Sequence, residues 1–304
     1  MAIDTVLVPV DGSPVSEHAV GYALGVAERH HASVHFALVH DFPPPAELGW
    51  SYEQGLQGVS VYEAEELYLR GLMERVHWPA GVHGCARHLR GDVAKILTEY
   101  VRAHRVALVV MGTHGRGGLK RLWLGSVAER MLRRSSVPIL FVGPGVVDGR
   151  PLAPRRIRRA LVALDGSAAA ERALVCARDT LPADTDLVLL RVVVPPFVPT
   201  MYLDNPRALV ADFVRRDRRA AADALRSTCS TLGIRARTAV AIHGQPAVAI
   251  IQRARALEAD VIVLGTRGIG RVERFMIGSV ADRVIRSAAI PVLVGPRDRR
   301  GPEE

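Results

Sequence analysis

A glycine-rich segment that runs into the start of a helix is a ready-made anion site. Glycine lets backbone N–H groups close on a ligand, and the first helical N–H groups have no internal partner. This chain carries that combination twice. Gly112-Thr113-His114-Gly115 is followed, after nine residues, by Gly125-Ser126. Gly265-Thr266-Arg267-Gly268 is followed, again after nine, by Gly278-Ser279. Apolar runs at 106–111 and 261–264 lead into the loops, and helix-like stretches leave them. Serine at each helix start is expected as an N-cap, and free donors together with the helix dipole favour phosphate. The alternative is a pair of structural turn and capping glycines, and repetition at identical spacing weighs against it. Neither loop ends in Gly-Lys-Ser/Thr, so neither is a Walker motif. Neither is the dinucleotide fingerprint, which follows a first strand, where this chain has Asp-Gly-Ser instead.

Asp11 and Asp165 close the first strand of each half. In doubly wound sheets, ligands bind beyond the carboxyl ends of the strands, where the strand order reverses. With the first and fourth strands as neighbours there, Asp11 faces the Gly112 loop as a polar hook for a nucleotide. The alternative is an aspartate helix cap with Gly-Ser turning the chain, and the two roles are compatible. His114 tempts as an acid–base catalyst, but its counterpart is Arg267, which argues against an essential proton-transfer role in both loops.

Holding these groups in place takes strands alternating with helices, and the sequence supplies them in two copies offset by about 153 residues. VLVPVDGS at 6–13 matches ALVALDGS at 160–167, Gly91-Asp92-Val93-Ala94 matches Gly244-Gln245-Pro246-Ala247, and Pro138 matches Pro291. Strands are expected at 5–10, 35–39, 83–89, 106–111 and 137–142, and again at 159–164, 187–193, 235–242, 261–264 and 290–294. Helices are expected at 14–30, 62–76 and 93–103 and from Ser126, and at 168–180 and 246–257 and from Ser279. The segments 41–78 and 195–232 differ between the halves. Alternation of this kind means parallel pairing with right-handed crossovers, and near-continuous Val, Ile and Leu suits a sheet covered on both faces. The expected domains are 1–146 and 157–297, joined by a proline- and glycine-rich linker at 147–156.

Bulk composition narrows the class. With 304 residues, 49% hydrophobic and 23% charged, the chain has material for two ordinary globular domains. The N-terminus has no secretory pattern, and no apolar run approaches the ~20 residues that span a bilayer. Cys85, Cys176 and Cys229 are scattered and lack metal-ligand spacing, which fits a cytoplasmic protein with structural thiols. The net charge of +9 is carried almost wholly by arginine, and 5% aromatic content supplies few base-stacking platforms, so nucleic acid is disfavoured as a partner.

These motifs bring a family into view. Each half resembles a universal stress protein domain, over about residues 3–143 and 157–296, and the whole resembles the tandem-domain members of the ATP-binding branch. The resemblance rests on Gly-x2-Gly-x9-Gly-Ser, complete in both halves, with the first strand ending in Asp. It implies two tandem Rossmann-like α/β domains of the adenine nucleotide alpha hydrolase type. Each would be an open five-stranded parallel sheet of order 3-2-1-4-5 with helices on both faces. ATP would lie in the switch-point crevice, with magnesium held mainly by its phosphates.

Carried over by position, Gly112 and Gly115 line the ribose and phosphates, and Gly125, Ser126 and Val127 bind phosphates. Asp11 and the Val39 backbone meet the adenosine end. The second site uses Gly265, Gly268, Gly278, Ser279, Val280, Asp165 and Val193, the last open to a shift of one residue either way. The exchanges of His114 for Arg267 and Arg116 for Ile269 imply two sites of unequal phosphate contact. The change from Asp92 to Gln245 is expected to affect only a turn.

The function implied is a non-catalytic, ATP-binding regulator of stress adaptation, read by an unidentified protein partner, with slow ATP hydrolysis compatible with it. The halves would pair as a pseudo-dimer through their last strands, and whole chains could pair in turn. One competing reading is a weak ATPase or nucleotidyl-transfer enzyme with a substrate pocket near Trp50, Tyr52 and Tyr62. Another is an interaction module that has lost its ligand.

Overall fold

The computed structural model describes residues 3–41, 61–113, 124–146, 152–197, 206–266 and 278–296. The chain divides into two compact units, Met1–Arg156 and Ile157–Glu304. In the first, β1 (Thr5–Pro9), β2 (Ser33–His40), β3 (Gly84–Arg90), β4 (Leu108–Gly112) and β5 (Ile139–Val142) pair in parallel in the order β3-β2-β1-β4-β5. In the second, β6 (Arg159–Ala163), β7 (Asp186–Val193), β8 (Arg237–Ile242), β9 (Val261–Leu264) and β10 (Val292–Val294) repeat it as β8-β7-β6-β9-β10. This is the doubly wound order expected from the alternation.

The central strands are apolar on both faces, with Val6, Leu7, Val8, Val109 and Val110 fully buried, because helices cover both sides. In the first unit, α1 (Pro14–His30) packs on β1 and β4, and α2 (Val61–Arg75) packs on β2 and β3. Arg75 pairs with Glu17 at 3.0 Å, tying these two helices together on one face. Right-handed crossovers send α3 (Val93–Ala103) and α4 (Ser126–Arg134), which pack on each other, to the opposite face. The second unit uses α5 (Ala168–Thr180), α6 (Pro206–Leu232), α7 (Pro246–Ala256) and α8 (Ser279–Ser287) in the same roles.

Element limits follow local hydrogen bonding. α1 starts at Pro14, with its φ pre-set for a first turn, after Ser13 caps the Ser16 N–H at 3.2 Å. It stops where His31 takes the left-handed φ of 52° and returns its N–H to the helix. β4 begins at Leu108 rather than 106, because the Val106 N–H donates back to the Val101 carbonyl and closes the exit from α3. The chain at 152–156, placed in the expected linker, packs on the first unit. Leu152 is buried, and the Arg155 N–H donates to the Gly21 carbonyl at 2.9 Å. Gly25 beneath it has no room for a side chain, since a Cβ would sit 2.0 Å from the Arg155 carbonyl oxygen.

The three cysteines are free and partly buried, and burial pushes the Cys176 thiol up to about 11. Among the described residues no helix is long and apolar enough to cross a membrane.

Candidate functional site

The strand order reverses between β1 and β4, so the crevice of the first unit opens beyond the carboxyl ends of these two strands. β1 pairs with β4 through Val6↔Leu108 and Leu7↔Val109. Counted on from that register, Asp11 stands level with Thr113. In the second unit the register Ala160↔Val261 sets Asp165 level with Thr266 in the same way.

Each threonine does something the sequence reading missed. The Gly125 N–H donates to the Thr113 carbonyl at 2.8 Å, and the Gly278 N–H donates to the Thr266 carbonyl at 3.1 Å. The glycine loop therefore leaves and returns at a single hydrogen bond, and the helix that follows starts at the mouth of the crevice. Thr113 and Thr266 are buried at 2% and 8% exposure, which fixes this closure to the sheet. The signal was present in the sequence, since threonine follows the first glycine in both copies.

The helix starts differ from expectation in one respect. The N-cap residues are Gly125 and Gly278, with Ser126 and Ser279 one position inside, exposed. A glycine cap has no side chain to give, and neither α4 nor α8 has a side-chain cap bond. By contrast, α1, α3 and α5 are capped by Ser13, Asp92 and Ser167. The first bonds of α4 and α8 run from Glu129 N–H to the Gly125 carbonyl and from Asp282 N–H to the Gly278 carbonyl. The three N–H groups before each, those of Ser126, Val127 and Ala128 and of Ser279, Val280 and Ala281, have no partner within the helix, and a helix start of this kind favours an anion through both hydrogen bonds and the dipole.

Asp11 lies at the other side of the mouth. Its Oδ1 accepts from the Ser13 N–H at 3.0 Å and the Ser13 hydroxyl at 2.6 Å, and Gly12 takes a φ of 80° to complete the turn. Asp165 accepts from the Ser167 N–H at 2.9 Å, with Gly166 at a φ of 87°. Both aspartates therefore act in the helix-entry turn. Tyr68 of α2 has its hydroxyl buried close enough to feel the charges of Glu17 and Asp11. Its phenol is held well above the usual range by burial and by the carboxylates of Glu17 and Asp11, so it stays a neutral donor.

Val39 sits next to last in β2, and Val193 ends β7. The bonds from Val10 N–H to the Ala37 carbonyl and from Leu164 N–H to the Leu190 carbonyl are equivalent in the two units. Counted from them, the position matching Val39 is Val192, and Val193 matches His40. Gly112 pairs with Val142 at the end of β4. Gly265 has a packing reason of its own, because a Cβ there would lie 2.8 Å from the backbone of Ala169 and Ala170 in the first turn of α5. Gly115, Gly268, His114, Arg116, Arg267, Ile269, Trp50 and Tyr52 lie outside the described residues.

The two mouths are not equal. Arg191 takes the register position of Leu38 and lays its guanidinium over Gly166, within 2.8 Å of where a Cβ would be. The second mouth thus carries a cation beside Asp165 where the first has an aliphatic side chain.

A second asymmetry corrects an expectation. Asp92 does more than shape a turn. It accepts the Lys95 N–H at 2.8 Å as the cap of α3 and pairs with Arg130 of α4, so it locks the two helices together. Gln245 makes no such cap. The Arg130 bond first, and then the Lys95 N–H, hold the Asp92 carboxyl below its ordinary range. Asp92→Ala is expected to cost about 1 kcal/mol at neutral pH, most of it from the cap because the ion pair is exposed. A depressed carboxyl contributes above its unfolded-state pKa and loses that contribution as pH falls through the folded-state value. Wild type and variant should therefore converge in acid, and urea unfolding at two pH values checks this. Gln245→Ala should stay within about 0.5 kcal/mol of wild type.

Comparison with known proteins places this geometry. The model of the universal stress protein family matches residues 2–143 and 156–296. A universal stress protein of Mycolicibacterium smegmatis is 29% identical over 309 residues, covering 95% of this chain and 96% of its own. One from Methanocaldococcus jannaschii is 32% identical over 141 residues, 45% of this chain and 80% of its own. Among solved structures, a universal stress protein from Archaeoglobus fulgidus superposes with a TM-score of 0.64 at 22% identity, covering 98% of this chain and 100% of that one.

Proposed function

The chain belongs to the universal stress protein family, as a tandem of two such domains, and we propose that each domain binds ATP and that occupancy, not turnover, is the output. The single observation that carries this reading is the pair of helices capped by Gly125 and Gly278. Each lacks a side-chain cap and closes on a buried threonine at the carboxyl end of the sheet. Side chains cap α1, α3 and α5, whereas α4, α8 and α7 have none, and of these three only α4 and α8 start with a glycine cap tied to a buried threonine.

The phosphates would be held by the N–H groups of Ser126 and Val127, or of Ser279 and Val280, with the serine hydroxyls and the loops of Gly115 and Gly268. Gly112 ends β4 and Gly265 follows β9 beneath them. Asp11 and the backbone at Val39 would meet the ribose and adenine, as would Asp165 and the end of β7 around Val192 and Val193. Magnesium would be carried on the phosphates. We place the domains at 1–146 and 157–297, and the protein in the cytoplasm, where ATP is abundant. A regulator of this kind acts by biasing a surface that a protein partner reads.

The test separates a binder from an enzyme. Labelled ATP with magnesium is incubated with the protein, and the bound nucleotide is recovered and identified. The expected result is ATP recovered intact, with turnover slower than dissociation. Rapid release of ADP or AMP over many turnovers, accelerated by a second substrate, would overturn the regulator in favour of a phosphoryl- or nucleotidyl-transfer enzyme.

A further inference from the structure

Three side chains that no part of the nucleotide reading uses converge in the first unit. His40 at the end of β2, His88 in β3 and Glu65 in α2 bring one ligand atom each to within 4.8 Å of one another. The Glu65 Oε2 lies 2.8 Å from His40 Nδ1 and 2.9 Å from His88 Nε2. Glu65 shares its helix face with the buried Leu69 and Leu72, and the His88 side chain is only 7% exposed. The Tyr62 ring stacks on His88 at 4.0 Å, and Arg90 in turn covers Tyr62 at 4.1 Å. We propose that His40, Glu65 and His88 form a binding site for a divalent ion of the zinc class, clamping α2 to the β2–β3 edge of the sheet.

Three observations favour a metal over a plain hydrogen-bonded clasp. First, two imidazoles and one carboxylate are the donor set of three-ligand zinc sites, which leave a further position for water or another ligand. Second, His88 Nδ1 is buried without a hydrogen-bond partner. While His88 Nε2–H donates to Glu65, Nδ1 is a buried acceptor with no donor. With a metal on Nε2 the ring proton moves to Nδ1, which lies 4.0 Å from Glu66 Oε1, a small side-chain movement from the carboxylate–histidine–metal arrangement. Third, the duplicated fold does not need the cluster. Val193 stands where His40 does, and Val240, paired with Arg191 as His88 is with Leu38, stands where His88 does. A groove between α2 and β3, walled in part by Glu66, Met73, Ala86 and His88, supplies an entry path.

The site is independent of nucleotide, so it is tested on the full-length protein without ATP. Cobalt(II) serves as a visible-absorbing stand-in for zinc and is titrated into metal-free protein, then displaced with zinc. The expected result is a d–d band that saturates at about one cobalt per chain and is abolished by zinc. Glu65→Gln keeps a hydrogen-bonding group of the same shape and should retain the fold by circular dichroism while losing the band. His88→Ala should lose it as well, and Glu66→Gln should weaken binding roughly 10-fold, as an outer partner does. His243→Ala should leave the titration unchanged. Absence of a band in wild type, or equal binding by Glu65→Gln and wild type, would overturn the metal site and leave a hydrogen-bonded clasp.

Discussion

Ser126→Pro and Ser279→Pro are each expected to remove nucleotide from one domain while leaving its stability unchanged. Proline at the first helical position loses an N–H that no intrahelical bond uses, and its fixed φ suits the first turn. The chain already does this in α1 with Pro14 and in α7 with Pro246. The preceding residues are compatible too, since Gly125 sits at φ −58°, ψ 147° and Gly278 at φ −60°, ψ 139°, the extended backbone that a following proline demands. What the substitution removes is one N–H and one hydroxyl from the anion mouth. Hydrogen bonds to charged groups are worth about 1.5–3 kcal/mol each, so losing both should weaken phosphate binding ~100-fold or more. Equilibrium binding of ATP beside urea unfolding of the same samples checks both halves of the expectation. Unchanged affinity in both variants would mean that these helix ends do not hold the ligand.

Gly265→Val is expected to act in the opposite manner, on stability first. The β9 strand ends against the first turn of α5, and a Cβ at this position would lie 2.8 Å from both the Ala169 carbonyl carbon and the Ala170 nitrogen. Those are backbone atoms of a capped helix and cannot rotate away as a side-chain tip would. Overpacking costs of about 1–3 kcal/mol are usual where side chains can adjust, so a clash with backbone belongs at or above the upper end of that range. Thermal or urea unfolding should show the transition of the second unit lowered and that of the first intact. Gly71→Ala is the matched comparison. Gly71 lies inside α2 with nothing within 4 Å of its Cβ position, so alanine there should stabilise by about 0.5–1 kcal/mol. If Gly265→Val folds as well as wild type, the glycine is there for the ligand alone.

Gly265 also illustrates what a sequence can and cannot say about a site. Its place at the end of the fourth strand was legible, because the apolar run 261–264 and the repeat both point to it. Its packing duty was not, because the contact is to a helix almost a hundred residues away in the chain. The parallel sheets and their order were legible for a similar reason: alternation, buried β-branched runs and right-handed crossovers leave few alternatives. Helix caps were half legible. A capping turn at Asp-Gly-Ser was expected, with the aspartate as cap, but Ser13 and Ser167 take the cap and Asp11 and Asp165 brace the turn before it. At the glycine loops, however, the cap fell on Gly125 and Gly278, because their N–H groups are drawn back to Thr113 and Thr266. The strand register around Val193 was open by one residue, since β7 is apolar on both sides of Arg191 and carries no regular alternation to fix it. The Asp92–Arg130 link and the His40–Glu65–His88 cluster were hidden, as each joins residues from different elements with no characteristic spacing. The one trace of the cluster in the sequence is a bias: every histidine but His243 lies at or before position 114.

Calorimetric titration of the wild-type chain with magnesium-ATP tests the central claim most directly, run beside Gly115→Glu, Gly268→Glu and the double variant. Two phosphate-facing helix ends, one per domain, predict about two ATP per wild-type chain. Each single variant should retain about one, because a carboxylate in the loop repels phosphate, and the double variant should retain none. Absence of binding to wild type, or stoichiometry that the loop substitutions leave untouched, would contradict the account and assign the repeated glycines to turn and packing roles alone.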